Sequence, residues 1–521
     1  MARLLPELWG QMRNTMNNTT RNWSAYQQAI FDKVSNPTFG SFTVNAVAGS
    51  GKTTTIVECA NRVGNSGLSI LFLAFNKSIV NELRDRLPNS VDCKTLHSHG
   101  YRALMRAVKG RIVTDDNKWL DYIKTNLSVL SCTTFSDTTE GELLKNGFIS
   151  NCKNLLNKCR VNLVKTGEIR RIGEIAEHFG FDLVGDEIEV VSTCLATAYR
   201  LDTTIDFVDM ITTSVFSAKR FIPRYDLIFV DEAQDLNKAQ QELLLASLAP
   251  NGRFVAVGDP MQAINGFAGA DCDSFANLTR IANNHELPLS VCYRCGKAQI
   301  DLAKQYVPYL TAFDGACDGE VKHTNRFDGL MAGDMVLCRK SAPLVGLCLK
   351  MIANGISANV KGRDICEGLK TLVSKTKART IAKLLEKLDH EIDLARNRAE
   401  RKGLDASTAS FVVTLQDKVA CIEIIAGTCS SVAEVLEKLD TLFSDNINGN
   451  VVTLSTIHKA KGLESNNVWI VVPDKLPLRF KGQQNWEYQQ ELNLCYVAYT
   501  RAKKVLTFVD LNEDELASYQ F

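Results

Sequence analysis

The segment Ala46-Val47-Ala48-Gly49-Ser50-Gly51-Lys52-Thr53 carries the residue types that bind phosphate. It follows the apolar run SFTVNAV and leads into TTTIVECANRV, so it sits where a strand turns into a helix and its backbone N–H groups can curl around a phosphate chain. Glycines at 49 and 51 let the main chain approach with no side chain in the way. In that loop Ala48, Gly49, Ser50, Gly51, Lys52, Thr53 and Thr54 would line a nucleotide, with Lys52 reaching the β and γ phosphates and Thr53 placing its hydroxyl on Mg2+. Ala46 stands where the general pattern has glycine.

A second cluster closes another apolar run. Asp231-Glu232-Ala233-Gln234-Asp235 follows YDLIFV, which sets two adjacent carboxylates at a strand end. Alone, such an acidic end reads as a helix cap or a solvated turn. Beside a phosphate loop it supplies the other half of one reaction: Asp231 would hold Mg2+ through its water shell, and Glu232 would orient and deprotonate the water that attacks the γ phosphate. Hydrolysis of a nucleoside triphosphate is the chemistry these residues suit, with ATP and Mg2+ as the expected ligands.

Both clusters need a rigid frame. SFTVNAV, LSILFLAF, YDLIFV and RFVAVG read as short buried strands, and helical patterns follow several of them, the alternation of a parallel sheet covered by helices. Ligands on such sheets bind at the carboxyl ends of the strands. From Tyr101 to about Arg224 the pattern turns mainly helical before strands resume, as an inserted domain would look. Another interruption runs from about Val345 to Asp445, where KTKARTIAKLLEKLDHEIDLARNRAERKG reads as a solvated helical hairpin. VVTLSTI and NVWIVV, then a helix through Glu491 to Arg501, point to a second α/β unit at the end of the chain.

Length and composition set the outer bounds. At 521 residues several domains of roughly 100–200 residues each are expected. No apolar run is long enough to span a bilayer, and the polar start MARLLPELWGQMRNTMNNTTRN lacks the core of a secretory signal, so the protein is expected in the cytoplasm, free or with the nucleoid. With 60 Lys+Arg against 59 Asp+Glu, nucleic acid would have to be held by local basic and aromatic surfaces. Sixteen scattered cysteines with one CxxC, Cys292 to Cys295, read as reduced, mostly buried thiols and not as a metal site.

AVAGSGKT together with DEAQD resembles superfamily 1A DNA helicases of the UvrD/Rep/PcrA family, and the family's other motifs follow in order. Gln27 in AYQQAI, beside Gln28, is similar to the glutamine that reads adenine. LAFNKS, with Asn76 and Lys77, and TLHSHG, with Thr95 and His97, are similar to the first DNA-contact motifs. In GDPMQAINGFAGA, Gln262 matches the residue coupling the γ phosphate to DNA, and Phe267 matches an aromatic that stacks on bases. Tyr293 and Arg294 in LSVCYRC resemble the base stacker and the first arginine finger. Thr456, His458, Lys459, Lys461, Gly462 and Glu464 in LSTIHKAKGLES resemble the motif that binds the DNA backbone and, through the glutamate, the nucleotide sugar. Tyr496 and Arg501 lie in LNLCYVAYTRA, similar to the segment with the second finger. Asn265 and Ala268 depart from the pattern, standing where many members carry Tyr and Arg.

The resemblance implies an α/β fold of two RecA-like parallel-sheet P-loop NTPase cores with mainly helical insertions. Residues 1–100 and 221–288 would form core 1A, 101–220 insertion 1B, 289–345 and 446–521 core 2A, and 346–445 a reduced insertion 2B. A shortened 2B, and the likeness of TIHKAKGLE and LAFNKS to the F-box helicase branch and compact viral relatives, put in question the autoinhibitory swivelling known for UvrD. The expected function is ATP-driven movement on single-stranded DNA and at single/double-strand junctions, 3′ to 5′, as a monomer, with a protein loading or nuclease partner and a place in repair, replication or recombination. Alternatives are a translocase that strips proteins from DNA with little unwinding, an RNA helicase, and an ATP-gated DNA-binding scaffold subunit.

Overall fold

Runs of Val, Ile, Leu and Phe supply most of the buried positions in β1 (Phe42–Ala46), β2 (Ile70–Ala74), β3 (Val91–Thr95), β4 (Tyr225–Val230), β5 (Leu248–Gly258) and β6 (Glu286–Leu289). In the computed structural model, which describes residues 22–521 apart from 182, 184, 402–404, 408, 444–450 and 480–482, they form one six-stranded sheet in the order β3-β2-β4-β5-β1-β6. Every pairing is parallel. Burial on both faces is why the central strands read as continuous apolar runs instead of alternating ones. Parallel pairing also brings the ends of β1 and β4, with the phosphate loop and the DEAQD turn, to one edge. The amino-terminal stretch read above as too polar for a secretory signal lies almost wholly outside the described residues, among which no helix is long and apolar enough to cross a membrane. The cysteines are free thiols, most of them buried.

Helices cover the sheet. Helix Ala25–Ser35 starts at a capping box between Ser24 and Gln27 and buries Ile30, Phe31 and Val34. Its far end is held by Arg253 of β5, whose guanidinium donates to the carbonyls of Lys33, Val34, Asn36 and Phe39. This closes the orphan carbonyls of the last turn and fixes how the helix presents Gln27. On the other face, helices Leu96–Ala107 and Asp209–Phe216 pack against the sheet through Leu104, Ile211 and Val215.

Between those two helices the chain builds a body of its own, with helices Thr139–Val161, Ile169–His178 and Glu187–Ala198 around Phe148, Leu155, Val190 and Leu195. Its base is tied by fully buried Arg160, which donates to both Asp206 carboxylate oxygens at 2.7 and 2.8 Å and to Asp209 at 2.5 Å. Helical residues of the expected 101–220 segment therefore divide between this body and the sheet's own covering layer.

A second six-stranded sheet contains β7 (Glu320–Thr324), β8 (Met335–Cys338), β9 (Ala358–Val360), β10 (Val452–Thr456), β11 (Ser465–Val471) and β12 (Ala502–Val509), in the order β7-β12-β11-β8-β10-β9. It too is parallel throughout. Helix Ala342–Ala353 and edge strand β9 belong to this layer, so the sheet reaches past the expected boundary at residue 346. A three-residue strand gives no periodic signal strong enough to mark that edge. Helices Arg363–Thr376, Ile381–Arg401, Ser410–Ala426 and Val432–Leu442 follow. Their Leu369, Val373, Leu388 and Ile422 share one apolar core with Val336, Leu454 and Trp469 of the sheet.

Buried His99, under the first sheet, makes folding pH-sensitive. The Ser247 hydroxyl donates to the Leu243 carbonyl, so imidazole Nε2–H is the donor across 2.8 Å to Ser247 Oγ, and Nδ1 is left unprotonated with no partner. Burial, then the charge of Lys94, hold His99 down to about 4. The unfolded chain takes up this proton below about 6.5 while the folded one refuses it, so stability falls as pH drops across that window, by on the order of 2–3 kcal/mol for this ring. Melting curves at pH 7.5 and 5.0 should show this loss reduced in His99→Gln; an undiminished loss would assign it to other groups.

Candidate nucleotide site and strand interface

Helix Lys52–Val63 begins at Gly51, held at φ +78° with no side chain capping the first turn. By contrast Asn76 and Thr95 cap their own helices, accepting from Ile79 N at 2.9 Å and Ser98 N at 3.1 Å. The uncapped turn, with Lys52, Thr53 and half-buried Thr54, leaves its N–H groups for an anion, as a phosphate requires. Thr53 Oγ1 lies 2.7 Å from Asp231 Oδ2. A hydroxyl and a carboxylate side by side are a fitting partial donor set for Mg2+, which takes its remaining ligands from waters and phosphate oxygens.

Glu232 sits in the left-handed region at φ +53°. Such a conformation is costly for a residue with a Cβ and persists only where the surroundings hold it. Gln234 is the holder: its amide nitrogen donates to Glu232 at 2.5 Å and its amide oxygen accepts from Asp259 N at 3.0 Å. Burial, followed by the charge of Glu232, pushes the Asp231 carboxyl up. For Glu232 burial acts the same way, but Lys52, Lys461, the Gln234 amide and Arg501 outweigh it and hold the carboxyl below its usual range. The two neighbouring carboxyls are thus shifted in opposite directions, Asp231 up and Glu232 down.

Residues of the second layer close over this edge. The Tyr496 hydroxyl accepts from Ala48 N at 2.8 Å and lies 3.2 Å from Asp259 Oδ2. Tyr293 N donates to the Gly49 carbonyl at 2.9 Å. Gly49 has φ +68°, and a Cβ there would lie 2.7 Å from Arg294 Cβ and 2.8 Å from Cys292 Sγ, so the bend bearing Arg294 rests directly on the loop. The Arg294 guanidinium pairs with Glu464 at 2.5 Å, and Lys503 takes the other Glu464 oxygen at 2.6 Å. Arg501 is buried and donates to its own neighbourhood, Val497 O at 2.9 Å and Leu463 O at 3.0 Å. Burial and the charge of Arg294 lower it to about 10. Both arginines therefore stand near this edge, each already held by protein acceptors.

The remaining expected positions fall in two places. Gln27 turns inward and donates to Thr55 Oγ1 at 3.0 Å, whereas Gln28 faces solvent and bonds Asp32. Tyr293 is 41% exposed, with its ring 5.2 Å from that of Phe313. Buried Gln262 donates to Asp259 at 2.7 Å. On the strand side, exposed Asn76 and Lys77 head helix Lys77–Arg84, and Lys77, Arg84, Lys94 and Thr95 line a cavity of about 720 Å³. His97 stacks on exposed Phe207 at 3.9 Å, an aromatic that no motif marked. Exposed Phe267 meets His458 edge-on at 5.7 Å. Thr456 is buried at the end of β10, and Lys459 pairs with Asp364. Asn265, where an aromatic is usual, donates to Asp235 at 3.1 Å instead of facing outward.

A model of the UvrD/REP helicase N-terminal domain matches residues 27–283, and one of the UvrD-like helicase C-terminal domain matches residues 271–513. The chain belongs to the UvrD-like helicases. Within that family it is similar to "F-box DNA helicase 1" of Gallus gallus, 25% identical over 91% of this chain and 48% of that protein. It is also similar to "F-box DNA helicase protein 1" of Schizosaccharomyces pombe, at 23% over 90% of this chain and 55% of that protein. "ATP-dependent DNA helicase PcrA" of Leuconostoc citreum is 25% identical over 52% of this chain and 37% of its own length. The chain spans about half the length of the F-box relatives. Two parallel sheets in tandem, with the phosphate loop on the first, are the α/β fold this membership calls for.

Proposed function

We propose that this UvrD-like chain hydrolyses ATP to move along single-stranded DNA, 3′ to 5′, opening duplex at junctions. The observation that carries the reading is that segments flanking the second sheet meet the phosphate loop of the first, with Tyr496 of helix Asn485–Tyr499 on Ala48 N and Arg294 against Gly49. A ligand seated there touches both, so its γ phosphate controls how they meet.

In this reading the uncapped helix turn and Lys52 hold the phosphates, while Thr53 and Asp231 hold Mg2+, which when bound neutralises developing charge. Adenine lies on Tyr293 beside Gln27. Glu232 takes the proton of the attacking water. The γ phosphate competes with Glu464 for Arg294, and with backbone carbonyls for Arg501; Glu464, once released, can accept from the ribose. Hydrolysis returns both arginines to their protein partners. Phe267, His97 and Phe207 offer flat faces on which bases of any sequence stack, at about 1–3 kcal/mol per base. Asn76, Lys77, Thr95, Thr456, His458 and Lys459 line the strand's path, and Gln262 links that path to the phosphate. The partition into 1A, 1B, 2A and 2B follows the same reading, with 2B confined to residues 363–442.

The test is strand-stimulated ATPase together with unwinding of duplexes carrying a 3′ or a 5′ tail of DNA or RNA, with Lys52→Ala as the inactive control. Unwinding confined to 3′ DNA tails is expected. Equal activity on both tails sinks the polarity, a preference for RNA tails sinks the strand assignment, and ATPase without unwinding favours a protein-stripping translocase. No strand-stimulated turnover in the wild type would leave a DNA-binding scaffold.

A further inference from the structure

Lys461 lies in the TIHKAKGLES turn that resemblance assigns to the DNA backbone, yet its side chain is only 14% exposed. It crosses to the other sheet's DEAQD turn, where its ammonium pairs with Asp235 at 2.5 Å and donates to the Gln262 carbonyl at 2.8 Å. The Asp235 side chain is 2% exposed. Two protein acceptors in a buried setting leave the ammonium little capacity for a phosphate of the strand. Two residues earlier Lys459, 40% exposed, shows how a solvent-facing lysine of this turn looks.

Beyond Asp235 the contacts continue to the catalytic end. The Gln234 amide nitrogen lies 3.4 Å from Asp235 Oδ2 and 2.5 Å from Glu232 Oε2. Lys461, Asp235, Gln234 and Glu232 thus form one chain of polar contacts. It starts on the turn whose His458 packs against Phe267 and ends on the carboxylate that would take the water's proton. Resting on the motor reading above, we infer that Lys461 is a positioning residue that ties seating of the DNA strand to the setting of Glu232, and not a ligand of the strand's phosphates. Removing one member of a buried pair leaves the other charge uncompensated, so Asp235 and then Gln234 lose their fixed places.

The experiment measures ATPase kinetics with and without oligo(dT), and oligo(dT) affinity by fluorescence anisotropy at several salt concentrations, for wild type, Lys461→Met, Asp235→Asn, the double variant and Lys461→Arg. Misplacement of about 1 Å can cost about 100-fold in rate, so a fall of roughly 10- to 100-fold in strand-stimulated kcat is expected in each single charge-removing variant, with the KM for ATP little changed. The double variant should be no worse than either single, because both break the same link. Oligo(dT) affinity should stay within about twofold with an unaltered salt slope, and Lys461→Arg, which keeps the charge, should recover much of the rate. A salt slope reduced by about one with stimulated kcat preserved would make Lys461 a phosphate ligand and overturn the inference. Additive losses in the double variant, or a Lys461→Arg as slow as Lys461→Met, would overturn it too. Should the wild type itself show no strand stimulation, the motor reading fails, and that result is distinct from a stimulated wild type with unaffected variants, which defeats the inference alone.

Discussion

Arg501→Ala should lower strand-stimulated ATP turnover by about 1,000-fold or more, the scale at which arginine fingers act in phosphoryl transfer. Arg501 is suited to that size of effect because it is buried, sits close enough to hold the Glu232 carboxyl down, and has no carboxylate bound to its guanidinium in the hydrogen bonds it makes. Its acceptors, the carbonyls of Val497 and Leu463, are ones that a phosphate oxygen can outbid. Because those carbonyls lose their donors in the variant, folding stability should drop as well, by about 1–3 kcal/mol. Steady-state ATPase under saturating ATP and oligo(dT), read beside a thermal melt, separates the two effects. A folded Arg501→Ala protein within tenfold of wild-type kcat would remove Arg501 from the reaction. Arg501→Lys, which keeps charge but not the planar fork, should remain severely impaired.

Glu232→Gln is expected to slow hydrolysis by about 100- to 10,000-fold while leaving ATP affinity nearly intact, since the substitution removes a base and keeps the shape. The geometry favours a clean result. Gln234 holds position 232 through its side chain, and a glutamine amide there can still accept from it. Single-turnover kinetics with oligo(dT) and a nucleotide-binding titration would check this. Loss of ATP affinity matching the loss of rate would instead place Glu232 in nucleotide binding.

The phosphate loop, the DEAQD turn and the strands that carry them were legible in the sequence because their chemistry and their frame lie next to each other in the chain. Residues 42–53 encode both a buried strand and the turn that follows it, and residues 225–235 do the same. Harder to read were the partners supplied from far away. Nothing local marks Tyr496 as the hydroxyl bonded to Ala48, since the two are 448 positions apart. Nor does the local pattern distinguish Lys461, turned inward to Asp235, from Lys459, which faces solvent; both belong to one short polar turn, and only packing against the opposite sheet separates them. Phe207 is not marked by the sequence because an exposed aromatic has no periodicity, and its stacking depends on His97 from another segment. Asn265 was seen as a missing aromatic, but its bond to Asp235 exists only in three dimensions. The β9 edge was lost because three residues are too few for a pattern to emerge.

The helices at 363–442 share one continuous apolar core with the second sheet, joined to it through helix Ala342–Ala353. Turning them as a unit would strip that core open, and each large side chain laid bare costs about 1.5–3 kcal/mol. Such packing is expected to hold these helices and the second sheet together as one unit.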